Sequence, residues 1–341
     1  MRLLAIRQDN NGDVTLQGPA LRALAARGCV SLICGPSGEG AARLLPGVSE
    51  VIVRRADWID GHPEPILPER IAEDVATFTR CAADEAFVFT SFHQSPLPAA
   101  LLLRLAGITQ IAAISIDYPG SLLDTRVAVD DGLHEAERAL ALVAARGFTL
   151  PPGDDGRLAY AALPSRDPAL PERYVAVQPG ATVAARAWSP EKLRALVARL
   201  RCEGHDVVLL GSASETELVH GVAGTSGAID LAGRTTFAQF AAIIRDATAL
   251  VVGNSSGIHI ASAVGTPVCS IFAPTILPAR FAPYKVPHVL LGNHTIACAG
   301  CRARRCPLAG QPCTGVVEVQ DVVAALQTLG LARPTPTEIT A

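Results

Sequence analysis

Asp13 lies in Asn11-Gly12-Asp13-Val14-Thr15, just after an apolar run and just before a helix whose first turn holds Pro19. The carboxyl ends of strands are where open parallel sheets receive ligands. A carboxylate there can take the proton of an attacking hydroxyl, or it can simply cap the helix and offset its dipole. A second segment, Gln178-Pro179-Gly180-Ala181-Thr182, also follows an apolar run and leads through Arg186 and Trp188 to a helix opened by Pro190. Amides, a hydroxyl and a helix N-terminus suit a phosphate, and Arg186 suits the charge of a departing diphosphate; an ordinary strand-to-helix turn with a surface Arg is the plainer alternative.

A third segment, Gly253-Asn254-Ser255-Ser256-Gly257-Ile258-His259, offers a further anion contact where another helix opens. His259 can bond a phosphate oxygen or be satisfied internally. Between Asp230 and Thr236, the backbone of Gly233, Arg234 and Thr235 can frame a nucleoside, with Thr235 or Thr236 as helix cap. Neither a Walker phosphate loop nor the dinucleotide glycine fingerprint is present, and Gly35-Pro36-Ser37-Gly38-Glu39-Gly40 resembles the latter only loosely. Cys298, Cys301, Cys306 and Cys313 cluster with gaps of two, four and six residues. That spacing fits no familiar metal finger, so metal binding, disulfides and free thiols all stay open, and no metal ligand is assigned. Cys29, Cys34, Cys81, Cys202 and Cys269 read as small core residues.

These segments need rigid elements behind them. A chain of 341 residues, 49% hydrophobic and 18% charged, is long enough for two cores. Apolar runs at Leu3–Ile6, Val30–Cys34, Val51–Val53, Phe87–Thr90 and Ile111–Ile114 alternate with helical spacing at Gln17–Arg27 and Leu97–Ala106. This is the pattern of a parallel sheet covered by helices. After a Pro-, Gly- and Asp-rich stretch between Phe148 and Arg173, read as the region of the linker, it restarts with strands Tyr174–Gln178, Asp206–Leu210, Ala249–Val252 and Val268–Phe272. Helices are expected at Pro190–Glu203, Glu215–Ala223, Phe237–Asp246, His259–Val264 and Val316–Leu329. The expected division is a domain at 1–160, a linker at 161–170, a second domain at 171–330 and a frayed Pro- and Thr-rich tail at 331–341.

The net charge of −3, with no basic stripe, argues against nucleic acid as a partner. Met1–Arg7 is too short for a signal-peptide core and no apolar run is long enough to span a membrane. A cytoplasmic location follows as the expectation, with peripheral membrane contact left open.

The segments resemble, in order and spacing, glycosyltransferase family nine, which includes the lipopolysaccharide heptosyltransferases. The resemblance rests on Gly12-Asp13-Val14 with Gly18-Pro19-Ala20-Leu21, on Gln178-Pro179-Gly180-Ala181 with Arg186, Trp188 and Pro190-Glu191, on Asp230 to Thr235, and on Gly253 to Pro267. It implies a GT-B fold, an α/β architecture of two Rossmann-like domains with parallel sheets facing a central cleft. It also implies an inverting transfer without an essential metal or cofactor, from a nucleotide-sugar donor, an ADP-sugar foremost, to a glycan or metabolite hydroxyl. By the same resemblance the second domain holds the donor, Asp13 is the base, Arg186 meets the diphosphate, and Thr182, Ser256, Gly257 and His259 are donor-loop positions. Two departures bear on the sugar. Ser255 stands where many members carry Asp, and one residue rather than two separates Gly257 from His259. A transferase of UDP-, GDP- or dTDP-sugars, a GT-B epimerase and a non-catalytic nucleotide-sugar-binding protein are the alternatives.

Overall fold

The structure, a computed structural model, describes residues 1–59 and 65–332; most of the tail expected at 331–341 lies outside the described residues. The chain divides into two compact units, Met1–Ala162 and a second that begins at Leu163.

The first unit is a six-stranded sheet in the order β3-β2-β1-β4-β5-β6, every pairing parallel. Its strands are β1 Arg2–Arg7, β2 Cys29–Cys34, β3 Val48–Val53, β4 Glu85–Val88, β5 Ile111–Ile114 and β6 Thr125–Val127. Its helices are α1 Asn11–Thr15, α2 Gly18–Ala25, α3 Glu39–Ala42, α4 Pro68–Cys81, α5 Leu97–Leu105 and α6 Glu135–Ala144. In β1 every residue after Arg2 is buried, as a central strand covered on both faces requires. Leu4, Ile6, Val88 and Ala113 from the strands pack with Phe78 of α4 and Leu103 of α5.

The second unit repeats the architecture in the order β12-β11-β10-β7-β8-β9, again with parallel pairing throughout. The strands are β7 Val175–Gln178, β8 Val207–Leu209, β9 Ile229–Asp230, β10 Ala249–Gly253, β11 Val268–Ile271 and β12 His288–Leu291. The helices are α7 Pro190–Cys202, α8 Thr216–Ala223, α9 Phe237–Asp246, α10 Gly257–Val264, α11 Pro278–Phe281, α12 Pro312–Gly315 and α13 Val319–Thr328. Helix starts follow the expected chemistry. Ser189 accepts the Lys192 N–H with Pro190 next in line, and Thr236, rather than Thr235, closes a capping box with Gln239. Trp188 is buried in this core with Leu193, Leu196 and Val251.

Both sheets have the doubly wound order whose direction reverses between the first strand of the unit and its fourth. In such sheets the crevice at that reversal, outside the carboxyl ends, is the ligand site. It falls between β1 and β4 in one unit and between β7 and β10 in the other.

Three expectations need correction. The stretch after Phe148 is not a free linker up to Ala161: Asp154 accepts a two-pronged bond from Arg22 at 2.6 and 2.8 Å, and Ala161 N–H bonds Leu44 O. Asp13 does not cap the following helix. It sits inside α1, a five-residue helix too short to show periodicity, and the helix after it begins at Gly18 with Pro19 in its first turn. Cys29 and Cys202 are exposed rather than core, standing at the first residue of β2 and the last of α7, while Cys81 is half-buried.

Candidate active site

In the first unit the crevice is built around Arg7, the last residue of β1, whose side chain is only 1% exposed. Its Nε lies 2.8 Å from Asp9 Oδ2, and its Nη2 donates to Asp13 Oδ1 at 3.0 Å and to Ser91 Oγ, just past β4, at 2.9 Å. Burial works to lower the pKa of such a guanidinium; the carboxylates of Asp9, Asp13 and Glu135 outweigh it, and the Arg7 pKa is raised. Glu135, buried at the start of α6, is paired with Arg138 at 3.5 Å.

Asp13 keeps 23% of its side chain exposed. Burial pushes its carboxyl pKa up to about 6, Arg7 pulls it down, and the Asp9 and Glu135 charges push it up again. A carboxylate that is ionised near neutral pH yet basic enough to accept a proton is what a general base needs. The backbone beneath it is fixed by Gln17 Nε2 donating to Asp13 O at 3.0 Å and by Thr15 Oγ1 donating to Asn11 O at 2.7 Å. Gly12 is buried in the same helix. Beside Asp9, Gln8, Asn10, Ser37, Arg55 and Ile59 line a mostly polar cavity of about 390 Å³.

Removing the cation sharpens this. Arg7→Met leaves three carboxylates without their shared counter-charge, so the Asp13 pKa should climb further, by roughly one unit or more. The acid limb of a pH–rate profile is expected to move to higher pH accordingly. Thermal unfolding should show a loss of stability of about 3–5 kcal/mol, the usual cost of orphaning a buried ionic partner.

In the second unit the segments picked from sequence meet at the carboxyl ends of β7 to β10. Gln178 and Gly180 are buried, Ala181 half-buried and Thr182 exposed. A short helical turn, Ala184–Arg186, carries Arg186, whose Nε donates to Thr275 Oγ1 at 3.1 Å. Gly253, the last residue of β10, lets the Arg186 carbonyl approach: a Cβ there would lie 2.7 Å from that oxygen, a contact backbone cannot relieve cheaply. Asn254 is buried and donates to Ala273 O at 3.4 Å, Ser255 N–H bonds Gly253 O, and Ser256 precedes α10 as its N-cap. Gly257 opens α10 against the Gln178 side chain, and His259, buried in the first turn, lies 6.0 Å from the Phe281 ring. Gln178 Oε1 and Ser255 Oγ are buried polar atoms without a hydrogen-bond partner among the described residues, an arrangement that calls for a further donor.

Gly233 folds back through its N–H to Gly211 O with φ +68°, and exposed Arg234 donates to Asp230 O at 3.3 Å, with Thr235 half-buried beside it. Gly233 packs against Ala213 and Thr216, on either side of a residue that sequence reading passed over, Glu215. Its carboxylate accepts from Ser212 N–H at 2.7 Å and Ser212 Oγ at 2.8 Å and closes over Gly180, where a Cβ would meet Glu215 Oε1 at 1.8 Å. Ser212-x-x-Glu215 has capping-box spacing, which was the signal available. Ser91, Glu135 and Thr275 were also missed, because each comes from a part of the chain distant in sequence.

All nine cysteines are free thiols. Burial pushes the Cys34 and Cys269 pKa values up to about 11 and about 12, and it also raises Cys313, with Cys306 adding to the shift. Among the described residues no group of three or more His, Cys, Asp or Glu side chains gathers to hold a metal ion.

Two doubly wound units, one carrying an ionisable carboxylate at its crevice and the other an Arg beside a helix N-terminus, define the architecture of GT-B glycosyltransferases. The chain belongs to glycosyltransferase family 9 (heptosyltransferase), whose family model matches residues 91–311. It is 31% identical over 222 residues to lipopolysaccharide heptosyltransferase 1 of Pseudomonas aeruginosa, covering 62% of this chain and 61% of that protein. The chain spans between 32% and 61% of the length of the curated heptosyltransferases it matches. The fold is that of the ADP-heptose lipopolysaccharide heptosyltransferase II of Escherichia coli, with a TM-score of 0.73 at 20% identity over 96% of this chain and 98% of that one. TibC of E. coli, described as an iron-containing dodecameric heptosyltransferase, shares it at TM-score 0.59 and 15% identity, over 96% of this chain and 75% of that one.

Proposed function

We propose that this protein is an inverting glycosyltransferase that moves a heptose or related sugar from a nucleotide-sugar donor, ADP-heptose foremost, to a hydroxyl of a glycan or metabolite. The observation that carries this reading is the Arg186 turn, seated between Gly253 and Thr275 beside the N-terminus of α10 in a chain of family 9. A guanidinium near a helix N-terminus favours a diphosphate, and favours it more as the anomeric bond breaks and charge builds on the leaving oxygen. Thr182, Ser256, Gly257 and His259 would complete the phosphate contacts. The backbone from Gly233 to Thr235 would frame the nucleoside, with Ala181, Asn254 and Ser255 at the edge of the donor site.

On the other unit Asp13 would accept the acceptor hydroxyl's proton as its oxygen attacks the anomeric carbon, and the polar cavity beside Asp9 would receive the acceptor. The transfer joins one C–O bond as another breaks and the nucleoside diphosphate leaves with the electron pair, so no redox partner is needed. Catalysis without a metal is part of the proposal. The likeness to lipopolysaccharide heptosyltransferases supports a cell-envelope acceptor and work in the cytoplasm, with peripheral membrane contact at most. No described helix is long and apolar enough to cross a membrane.

Release of nucleoside diphosphate from ADP-heptose and from UDP-, GDP- and dTDP-sugars, with a panel of saccharide acceptors and with or without a chelator, tests this. Release of ADP with a product of inverted anomeric configuration, unaffected by chelator, is the expected result. Release from another donor would reassign the base. No release from any donor would support a protein that binds nucleotide sugars without turnover, and loss with chelator would overturn metal independence.

A further inference from the structure

The segment holding Cys298, Cys301, Cys306 and Cys313 takes no part in the reading above, yet it wraps the turn on which Arg186 stands. Gln311 lies within it, and its two Nε2 hydrogens are shared among Ala185 O at 3.0 Å, Ala187 O at 3.1 Å and Thr314 Oγ1 at 2.9 Å. The carbonyls on either side of Arg186 are therefore held by one side chain from more than a hundred residues away. Arg304 O accepts the Ala185 N–H at 3.1 Å, and Arg302 N–H bonds Thr275 O at 3.0 Å. Thr275 is in turn the hydroxyl that accepts from Arg186 Nε. Two anchors of Arg186, its own turn and the Thr275 hydroxyl, are thus tied to 302–311.

Gln311 also holds a backbone conformation that does not suit it. Its φ is +44°, in the left-handed region where a side chain costs roughly 1 kcal/mol or more and glycine costs nothing. A residue chosen for the backbone alone would be Gly or Asn. What Gln adds is a side chain long enough to carry two N–H donors across to the Ala184–Arg186 turn.

We propose that Gln311 is a positioning residue for the donor site: it touches no substrate, and it fixes the main chain of 185–187 so that Arg186 meets the diphosphate at the right distance. Long cationic side chains on an unsupported turn lose affinity through disorder, and sub-ångström support from neighbouring side chains restores it. This role rests on the assignment of Arg186 to the diphosphate.

The test is a double-mutant cycle read by calorimetry with two probes, ADP and adenosine. Gln311→Met removes the donors at similar volume. Gln311→Gly removes them while suiting the left-handed backbone, so a fault in folding cannot be the common cause. Both are expected to weaken ADP roughly tenfold and adenosine hardly at all, and to add nothing further when Arg186 is already Ala. Equal losses for ADP and adenosine, or the same loss with and without Arg186, would show a merely structural role and overturn the proposal. Unchanged ADP affinity in both Gln311 variants, with Arg186→Ala weakened, would overturn it while leaving the donor site standing. Unchanged ADP affinity in Arg186→Ala would overturn the donor assignment and this role with it.

Discussion

Asp13→Asn is expected to lower turnover by roughly 10²-fold or more while leaving affinity for the donor nucleotide as it is. The amide keeps the volume and the acceptor oxygen facing Arg7 Nη2, so α1 should hold its place, but it cannot take a proton. The pH dependence gives the same claim a second face. With the carboxyl pKa pushed up to about 6 by burial, relieved by Arg7 and renewed by Asp9 and Glu135, the active ionised form is lost as pH falls through about 6 and is complete above it. A profile of kcat/KM in the parent protein should therefore rise with pH through that range, and the residual activity of Asp13→Asn should lack the rise. The linkage to stability runs in the opposite direction. A pKa raised on folding means that ionising Asp13 costs stability, so its contribution is fullest at low pH and is lost as pH rises through about 6. Turnover unchanged in Asp13→Asn would remove Asp13 from the chemistry and leave it a partner of the buried Arg7.

Arg186→Ala is the second large effect. A guanidinium on a diphosphate forms charge-assisted bonds worth about 1.5–3 kcal/mol, so ADP affinity should fall by roughly 10- to 100-fold. Adenosine, which lacks the phosphates, should bind as before. Thr275 loses a donor in this variant, but Trp188 and the 302–311 bonds to the turn remain, so the fold should survive. Equal losses for the nucleotide and the nucleoside would point to damage of the turn itself and contradict the assignment.

Much of the scaffold was legible because parallel strands buried on both faces are nearly uninterrupted apolar runs. β1, β2, β5, β7, β10 and β11 were read from such runs. The short or half-exposed elements were not: α1 spans five residues, β6 three, and β12 has no fully buried residue. The ends of strands could be picked because Gly, Ser and Asp after an apolar run have few other reasons to recur there. What surrounds them could not. Asp13 as a titrating group depends on Arg7 six residues before it and on Glu135 more than a hundred residues after it, and only the strand order brings these together. Arg186 and Gly253 were visible as types of residue in their segments, while the approach of the Arg186 carbonyl to Gly253, and Thr275 and Gln311, which decide where Arg186 stands, became visible only in the folded chain. The cysteines illustrate the converse, since their clustering drew attention to themselves and the bonds that matter beside them come from Gln311 and the backbone.

The central claim is that the second unit is built for a nucleoside diphosphate carrying a particular base, and thermal unfolding with ADP, UDP, GDP and dTDP in turn tests it most directly. At about 100 times its dissociation constant a ligand stabilises by roughly 2.7 kcal/mol, a shift of several degrees for a domain of this size. The account predicts such a shift with ADP, little with the other three, and its loss in Arg186→Ala. No shift with any of the four nucleotides would contradict it.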